Sequence, residues 1–162
     1  MDETSLMHVA QFVQYEAFLL DERRWDEWLD LYDPQAEYWV PMWDDDGEPT
    51  RDPQSELSLI YYPNRSGLED RIFRIKSGNS AATIPLARTC HMRTPPVVER
   101  QESQLVARFN WTTHIVRLGE SFTYFGRKTL YLAEAGASMK IARSYTLVQN
   151  EWVDRVIDIH YL

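Results

Sequence analysis

The chain has 162 residues, 44% hydrophobic and 13% aromatic, with a formal net charge of -8 at pH 7. That length predicts one domain, 1–162, large enough for a packed core and too short for two cofactor modules. The acidic balance argues against a sequence-independent nucleic-acid binder or a ligand of anionic membranes, and the single cysteine, Cys90, excludes an internal disulfide or a multi-cysteine metal centre supplied by this chain alone.

The N-terminal MDETSLMHVAQ is acidic and lacks the basic start and apolar centre of a signal peptide, and no apolar run approaches the roughly 20 residues that span a bilayer. A cytoplasmic protein is expected. The sequons at Asn64 and Asn110 are then chance matches. A first helix is predicted from near Ser5 to about Asp21, with Val9, Phe12, Val13 and Leu20 on one stripe. Glu16 falls on that apolar face, where a lone carboxylate is costly to bury. An arginine such as Arg88 would offset the cost, so a core pair and a perturbed catalytic acid are both open readings.

A second helix is predicted over Arg24 to Tyr32, because Trp25, Trp28, Leu29 and Tyr32 recur at helical spacing. Asp33-Pro34 should end it, since the residue before proline is pushed out of the α region. Glu37 to Pro41 then reads as a short strand whose proline suits an edge or an end. Asp44 to Ser55, rich in acids, Gly and Pro, reads as an exposed loop. A third helix is marked by Ser66-Gly67-Leu68-Glu69, which fits a capping box, and by Gly78 as a left-handed stop, with Leu68, Ile72 and Ile75 as its apolar face.

From about Arg88 the period becomes two. Leu105, Ala107, Phe109, Trp111, Thr113 and Ile115 alternate with Val106, Arg108, Asn110, Thr112, His114 and Val116, the mark of a strand with one buried face. Phe122 to Ala133, Met139 to Val148 and Trp152 to Tyr161 are predicted as three further strands. Hairpins are expected at Leu118-Gly119-Glu120, Ala135-Gly136-Ala137 and Gln149-Asn150-Glu151, and a bulge or bend at Gly126. Helices first and a meander afterwards give an α+β fold, a curved antiparallel sheet with the N-terminal helices packed on one face.

The search for chemistry returns little. A mononuclear non-haem iron needs two His and a carboxylate, and a Rieske centre two Cys and two His. His8, His91, His114 and His160 never sit at short helical spacing, and one Cys cannot serve a Rieske cluster. Asp44-Asp45-Asp46-Gly47 fails as a calcium loop, because aligning Gly47 with the sixth position puts Met42 and Pro53 at the first and twelfth. No catalytic, metal-binding or cofactor-binding residue is therefore assigned. Tyr38, Trp39 and Trp43 fit equally a plain core or the centre of an interface, where Trp, Tyr and Arg are enriched.

Several segments together resemble the small (beta) subunit of aromatic-ring-hydroxylating dioxygenases. Glu16, Ala17, Leu19, Leu20, Asp21, Trp28 and Leu29 stand where that family has its first helical motif, and Tyr38 to Pro41 form its Y-W-V-P strand. Tyr61-Tyr62, Arg65, Leu68 and Arg71 follow in the family order, as do Pro85, Arg88 and His91. The tail Val156 to Leu162 looks most like the benzoate and anthranilate branch. Pro63-Asn64, Arg93-Thr94-Pro95-Pro96 and Arg143-Ser144-Tyr145 depart from the family pattern, and the proline pair should interrupt its strand.

The resemblance implies a cone fold similar to nuclear transport factor 2. It implies a non-catalytic structural chain whose partner, the alpha subunit, carries a Rieske [2Fe-2S] cluster and a mononuclear non-haem iron and dihydroxylates an aromatic substrate, an aromatic carboxylate in this branch. Three copies of each subunit would form a mushroom-shaped hexamer, served by a reductase or ferredoxin electron donor, with this chain as the stem. Glu16, Tyr38, Trp39, Pro41, Trp43, Arg65, Arg88, His91 and Arg127 would then be structural or partner-interface residues. The competing reading is a stand-alone isomerase or dehydratase of the same cone fold, with Glu16, Asp33, Tyr38 and His91 as its acid-base candidates. An open pocket with converging polar groups would favour that second reading, and a filled cone the first.

Overall fold

The computed structural model describes residues 3–78, 84–135 and 138–162. Helices α1 (Glu3–Asp21) and α2 (Trp25–Asp30) open the chain, followed by strands β1 (Tyr32–Pro41) and β2 (Ser58–Tyr62) and helix α3 (Ser66–Ser77). Strands β3 (Arg88–Arg93), β4 (Val97–Gln101), β5 (Gln104–Arg117), β6 (Glu120–Ala135) and β7 (Ser138–Val148) come next, and a short 3-10 turn, Ile159–Tyr161, closes the chain.

All seven strands belong to one sheet in the order β2-β1-β7-β6-β5-β3, with β4 also on β5. The β5, β6 and β7 meander is antiparallel along its whole register, whereas β1 joins β7 in parallel. The turn between β5 and β6 is the two-residue Leu118-Gly119 loop, with φ of 52° and 81°, the pair of positive values a primed hairpin turn requires. The second predicted hairpin reaches residues 136 and 137, outside the described residues.

The alternation seen along β5 holds in space. Leu105, Ala107, Phe109, Trp111 and Ile115 are buried beneath the helices, and Asn110, His114 and Val116 face outward. The α1 stripe supplies Val9, Val13, Leu19 and Leu20 to that core, each nearly fully buried, and α3 supplies Leu68, Ile72 and Ile75. Burying aromatics such as Trp28, Tyr32 and Tyr38 contributes roughly 4–6 kcal/mol each before entropy is charged, at about 25 cal/mol per Å².

Four expectations need correction. β1 begins at Tyr32 rather than Glu37, because tertiary pairing with β7 overrides the proline signal. The capping box does not form: Arg65 precedes the helix, no side chain caps it from that position, and the Ser66 N–H and hydroxyl both donate to Asn64 Oδ1 at 3.0 and 2.5 Å. Glu69 pairs with Arg65 instead. Gly126 marks a close backbone approach, since a Cβ there would lie 1.9 Å from the Leu147 carbonyl oxygen, while the register irregularity of β6 falls between Tyr131 and Leu132.

The fourth correction is the predicted strand from Trp152 to Tyr161. β7 already has β1 on one edge and β6 on the other, so no free edge remains beside it. Instead the Asn150 side chain mimics a ladder, accepting from Phe125 N at 3.0 Å and donating to Thr123 O at 2.8 Å. The chain then turns inward, burying Ile157, Ile159, Tyr161 and Leu162. Asp158 fixes that entry by accepting from Ile159 N at 2.8 Å. The Pro95-Pro96 interruption and the Gly78 stop, at φ 65°, are as expected.

Candidate functional site

Glu16 lies at the centre of the cone with no exposure. Its Oε1 accepts from the Trp28 indole N–H at 2.9 Å and from the Tyr32 hydroxyl at 3.4 Å. Its Oε2 forms an ion pair with Arg93, and Lys128 Nζ stands 3.5 Å from Oε1. Both cations arrive on inward strand positions, Arg93 at the end of β3 and Lys128 in β6 between Gly126 and Leu130. The expected partner Arg88 is one of the outward residues of β3 and is exposed. Arg93 takes that role because it shares the inward face with His91 and Thr89.

Burial alone would raise the Glu16 pKa, but the Arg93 and Lys128 charges and the Trp28 and Arg93 hydrogen bonds outweigh it and hold the carboxyl at about 2. Lys128 is pulled the other way: desolvation lowers it to about 8, against the pull of Glu16. A second pair sits beside this cluster. His91 Nδ1 donates to Asp21 Oδ1 at 2.6 Å, and the His91 N–H and Thr89 hydroxyl also donate to Asp21, at 2.9 and 2.8 Å. Burial lowers the His91 pKa below its usual range, so the ring is neutral and Asp21 fixes its tautomer.

This arrangement is poorly suited to acid-base catalysis. A general base works best with a pKa near neutrality, and Glu16 is locked far below it by two cations. The Tyr38 hydroxyl is buried and its pKa driven well above 10 by desolvation and the nearby Glu16 charge. Asp33 lies near the start of β1, where its Oδ1 accepts from Gln35 N at 2.8 Å. Clefts of about 320–500 Å³ open among the described residues; Lys128 lines one and Arg93 another, whereas Glu16, Tyr38 and His91 line none of these. Among the described residues no three His, Cys, Asp or Glu side chains come together in a way that could hold a metal ion. The described residues therefore do not fit a Rieske cluster or a mononuclear iron.

The remaining candidates lie elsewhere. Trp39 faces the outer side of the sheet, edge-on to Tyr145 at 5.2 Å between centroids, with the Arg143 guanidinium 5.7 Å above its ring. Trp43 donates to the Val148 carbonyl at 2.7 Å and keeps 39% of its surface exposed. Pro41 is buried at the end of β1. Arg65 ties α3 to β1 by donating to Tyr32 O at 2.9 Å. Arg127 is exposed on the outer face and has no ion pair among the described residues. The structure thus gathers Glu16, Tyr38 and His91 inside the cone and places Trp39, Trp43, Arg88 and Arg127 outside it.

Arg93, Lys128, Asp21 and the Arg71–Asp158 pair complete the interior, and none is among the residues singled out by the sequence as site candidates. Lys128 was legible in one respect. It interrupts the inward series Tyr124, Gly126, Leu130, Leu132 of a strand whose alternate positions are apolar, and a lysine in that register needs a buried anion.

A curved sheet wrapped on N-terminal helices, with a core closed by ion pairs, defines a cone-fold protein of the NTF2-like kind. An NTF2-like protein with a cystatin-like fold from Novosphingobium aromaticivorans shares it at a TM-score of 0.62 and 12% identity over 89% of this chain and 81% of its own. Residues 15–155 match the model of the family described as ring hydroxylating beta subunit, and the chain belongs to that family. The chain is 43% identical to the benzoate 1,2-dioxygenase subunit beta of Acinetobacter baylyi, covering 100% of this chain and 96% of that one. It is 39% identical to the anthranilate 1,2-dioxygenase small subunit of the same organism, covering 95% of each. The crystal structure of the benzoate 1,2-dioxygenase beta subunit from Burkholderia mallei superposes at a TM-score of 0.81 with 37% identity, over 100% of this chain and 98% of that one. This is the subunit of an oxidoreductase in which the catalytic chain is another polypeptide, and the stand-alone isomerase reading is not supported.

Proposed function

We propose that this chain is the structural subunit of a Rieske-type dioxygenase acting on an aromatic carboxylate of the benzoate kind. The observation that carries the reading is the locked interior: Glu16 is fully buried and neutralised by Arg93 and Lys128, on a chain whose relatives are beta subunits of benzoate and anthranilate dioxygenases. Its contribution is geometric. Three copies would hold three alpha subunits so that the Rieske cluster of one faces the mononuclear iron of the next, and electron transfer depends on that fixed spacing. A reductase or ferredoxin would supply the electrons, and the assembly would work in the cytoplasm. Residues 1–162 act as one domain in this role.

Co-expression with a Rieske-type alpha subunit tests the reading. The two chains should co-elute with the visible spectrum of an iron-sulfur protein and a mass of about three copies of each, while the isolated chain turns over no substrate. Turnover by the isolated chain, or failure ever to co-elute with such a partner, would overturn it.

A further inference from the structure

Between helix α3, the β5–β6 hairpin and the closing C-terminal segment lies a cleft of about 400 Å³ that the buried cluster does not explain. Three guanidiniums line it, one from each of these elements: Arg71, Arg117 and Arg155. Arg71 donates to both Asp158 carboxylate oxygens through Nε and Nη2. Arg155 pairs with Glu120 at 2.8 Å and, from outside the lining, with Asp154 at 3.5 Å. Arg117 donates to the Pro85 and Ile84 carbonyls at 3.0 and 3.3 Å. Among the described residues this leaves Arg71 Nη1 and Arg155 Nη2 without an acceptor. The lining sets three cations against the two carboxylates of Glu120 and Asp158, a surplus of one positive charge in a chain of net charge -8.

The rest of the wall is aromatic and apolar. Phe122 and Tyr161 stand edge to face at 5.8 Å between centroids, and the Arg155 guanidinium lies over the Phe122 ring, 4.4 Å from its centroid. A guanidinium is planar, so the face turned away from Phe122 can take a second ring in the same stacked manner. Leu118 and Val156 line the same cleft and are largely exposed. Burial and the Asp158 charge raise the Tyr161 pKa against the pull of Arg117, Arg155 and Arg71, so its hydroxyl is a protonated donor standing in the field of all three guanidiniums.

We propose that this cleft binds a small aromatic monocarboxylate, its carboxylate held by the open edges of Arg71 and Arg155 and by the Tyr161 hydroxyl, and its ring laid against the Arg155 plane and Phe122. The volume falls within the roughly 300–1,000 Å³ that holds small-molecule ligands, and the flat fork of arginine matches a carboxylate better than any other side chain does. The surplus of one charge selects a monoanion. A phosphate brings more charge, which Glu120 and Asp158 would repel, and it has no apolar face to offer Phe122, Leu118 and Val156. An uncharged aromatic ring would gain nothing from the open N–H groups. The site lies wholly within this chain, so the proposal does not rest on the subunit reading above.

Titration of the full chain with benzoate, followed by amide NMR and calorimetry, tests it. Benzoate should bind saturably with a Kd of about 1 mM or tighter, moving the amide signals of Leu118, Phe122, Val156 and Tyr161 and leaving those of Asn110 and Arg127 on the outer sheet face in place. Cyclohexanecarboxylate, similar in size but without a π face, should bind at least about threefold more weakly, and inorganic phosphate should not displace benzoate. Arg155→Gln changes a partly exposed side chain, so it should keep the fold by circular dichroism and weaken benzoate binding at least about tenfold. Phe122→Leu should narrow the gap between benzoate and cyclohexanecarboxylate. No saturable shift below about 10 mM, equal affinity for phosphate, equal affinity for the two carboxylates in the parent chain, or a folded Arg155→Gln chain that binds like the parent would each overturn the proposal. None of these outcomes depends on co-elution with a Rieske-type alpha subunit, so the cleft can fail while the subunit reading stands, and the reverse.

Discussion

Removing the Glu16 carboxylate leaves Arg93 and Lys128 facing each other in a buried interior, so Glu16→Ala should cost about 3–5 kcal/mol of folding stability. Lys128→Met leaves the Glu16–Arg93 pair intact and takes one cation out of the core, so it should cost no more than about 2 kcal/mol. Urea denaturation of the two variants checks the order, and equal losses would show that Lys128 is the essential partner. The pH profile gives an independent reading. Glu16 is depressed from 4.5 to about 2 in the folded state, so its contribution is full above about pH 4.5 and is lost as pH falls towards 2. Lys128 is depressed from 10.5 to about 8, so the unfolded chain binds its proton more tightly. Its contribution to stability therefore rises with pH between about 8 and 10.5, and Lys128→Met should flatten that rise. Glu16 was readable in the sequence as a carboxylate on an apolar stripe. Its partner was not, because choosing among Arg88, Arg93 and Lys128 needs the strand phase and the fold of β6 across β5.

Elements were legible where one period persisted and illegible where a neighbour decided. α1, α3 and β5 to β7 carry their own patterns over many residues, and the structure places them close to expectation. β2 and β4 are five residues each, too short for periodicity to separate from a loop. The start of α3 shows how a motif misleads. Ser66 and Glu69 have capping-box spacing, yet Asn64, two residues before Ser66, supplies the acceptor. Asn64→Ala should therefore cost about 1 kcal/mol, and Ser66→Ala clearly less, by thermal denaturation. The reverse order would restore the capping box. Gly126→Ala is a sharper test of sheet packing, because the new Cβ would meet the Leu147 carbonyl oxygen at 1.9 Å and the Leu147 carbonyl carbon at 3.0 Å, both backbone atoms. β6 and β7 would have to separate locally, at a cost of about 3 kcal/mol. A variant as stable as the parent would mean that the two strands do not approach as described.

For the whole molecule, the C-terminal segment decides whether the cone is closed. Alternation from Trp152 onward looked like one more strand, but the sheet had no edge to offer and the segment became a plug. Sequence reasoning could not see this, because it depends on β1 occupying the far side of β7 in parallel. Asp158 holds the plug in place through Arg71, whose Nε donates at 2.8 Å from α3, and the Arg71 hydrogen bond together with the neighbouring His160 ring keeps its carboxyl well below the usual range despite its burial. Asp158→Asn removes the charge while preserving the shape. It should lower the melting temperature and speed hydrogen exchange at Ile159, Tyr161 and Leu162 by about tenfold or more, corresponding to a local loss of about 1.4 kcal/mol or greater. Exchange in β5 and β6 should change far less, because their ladders do not involve the plug. Uniform acceleration across the sheet would instead mean that the plug and the cone unfold as one unit, and that Asp158 anchors the entire fold rather than its closing segment.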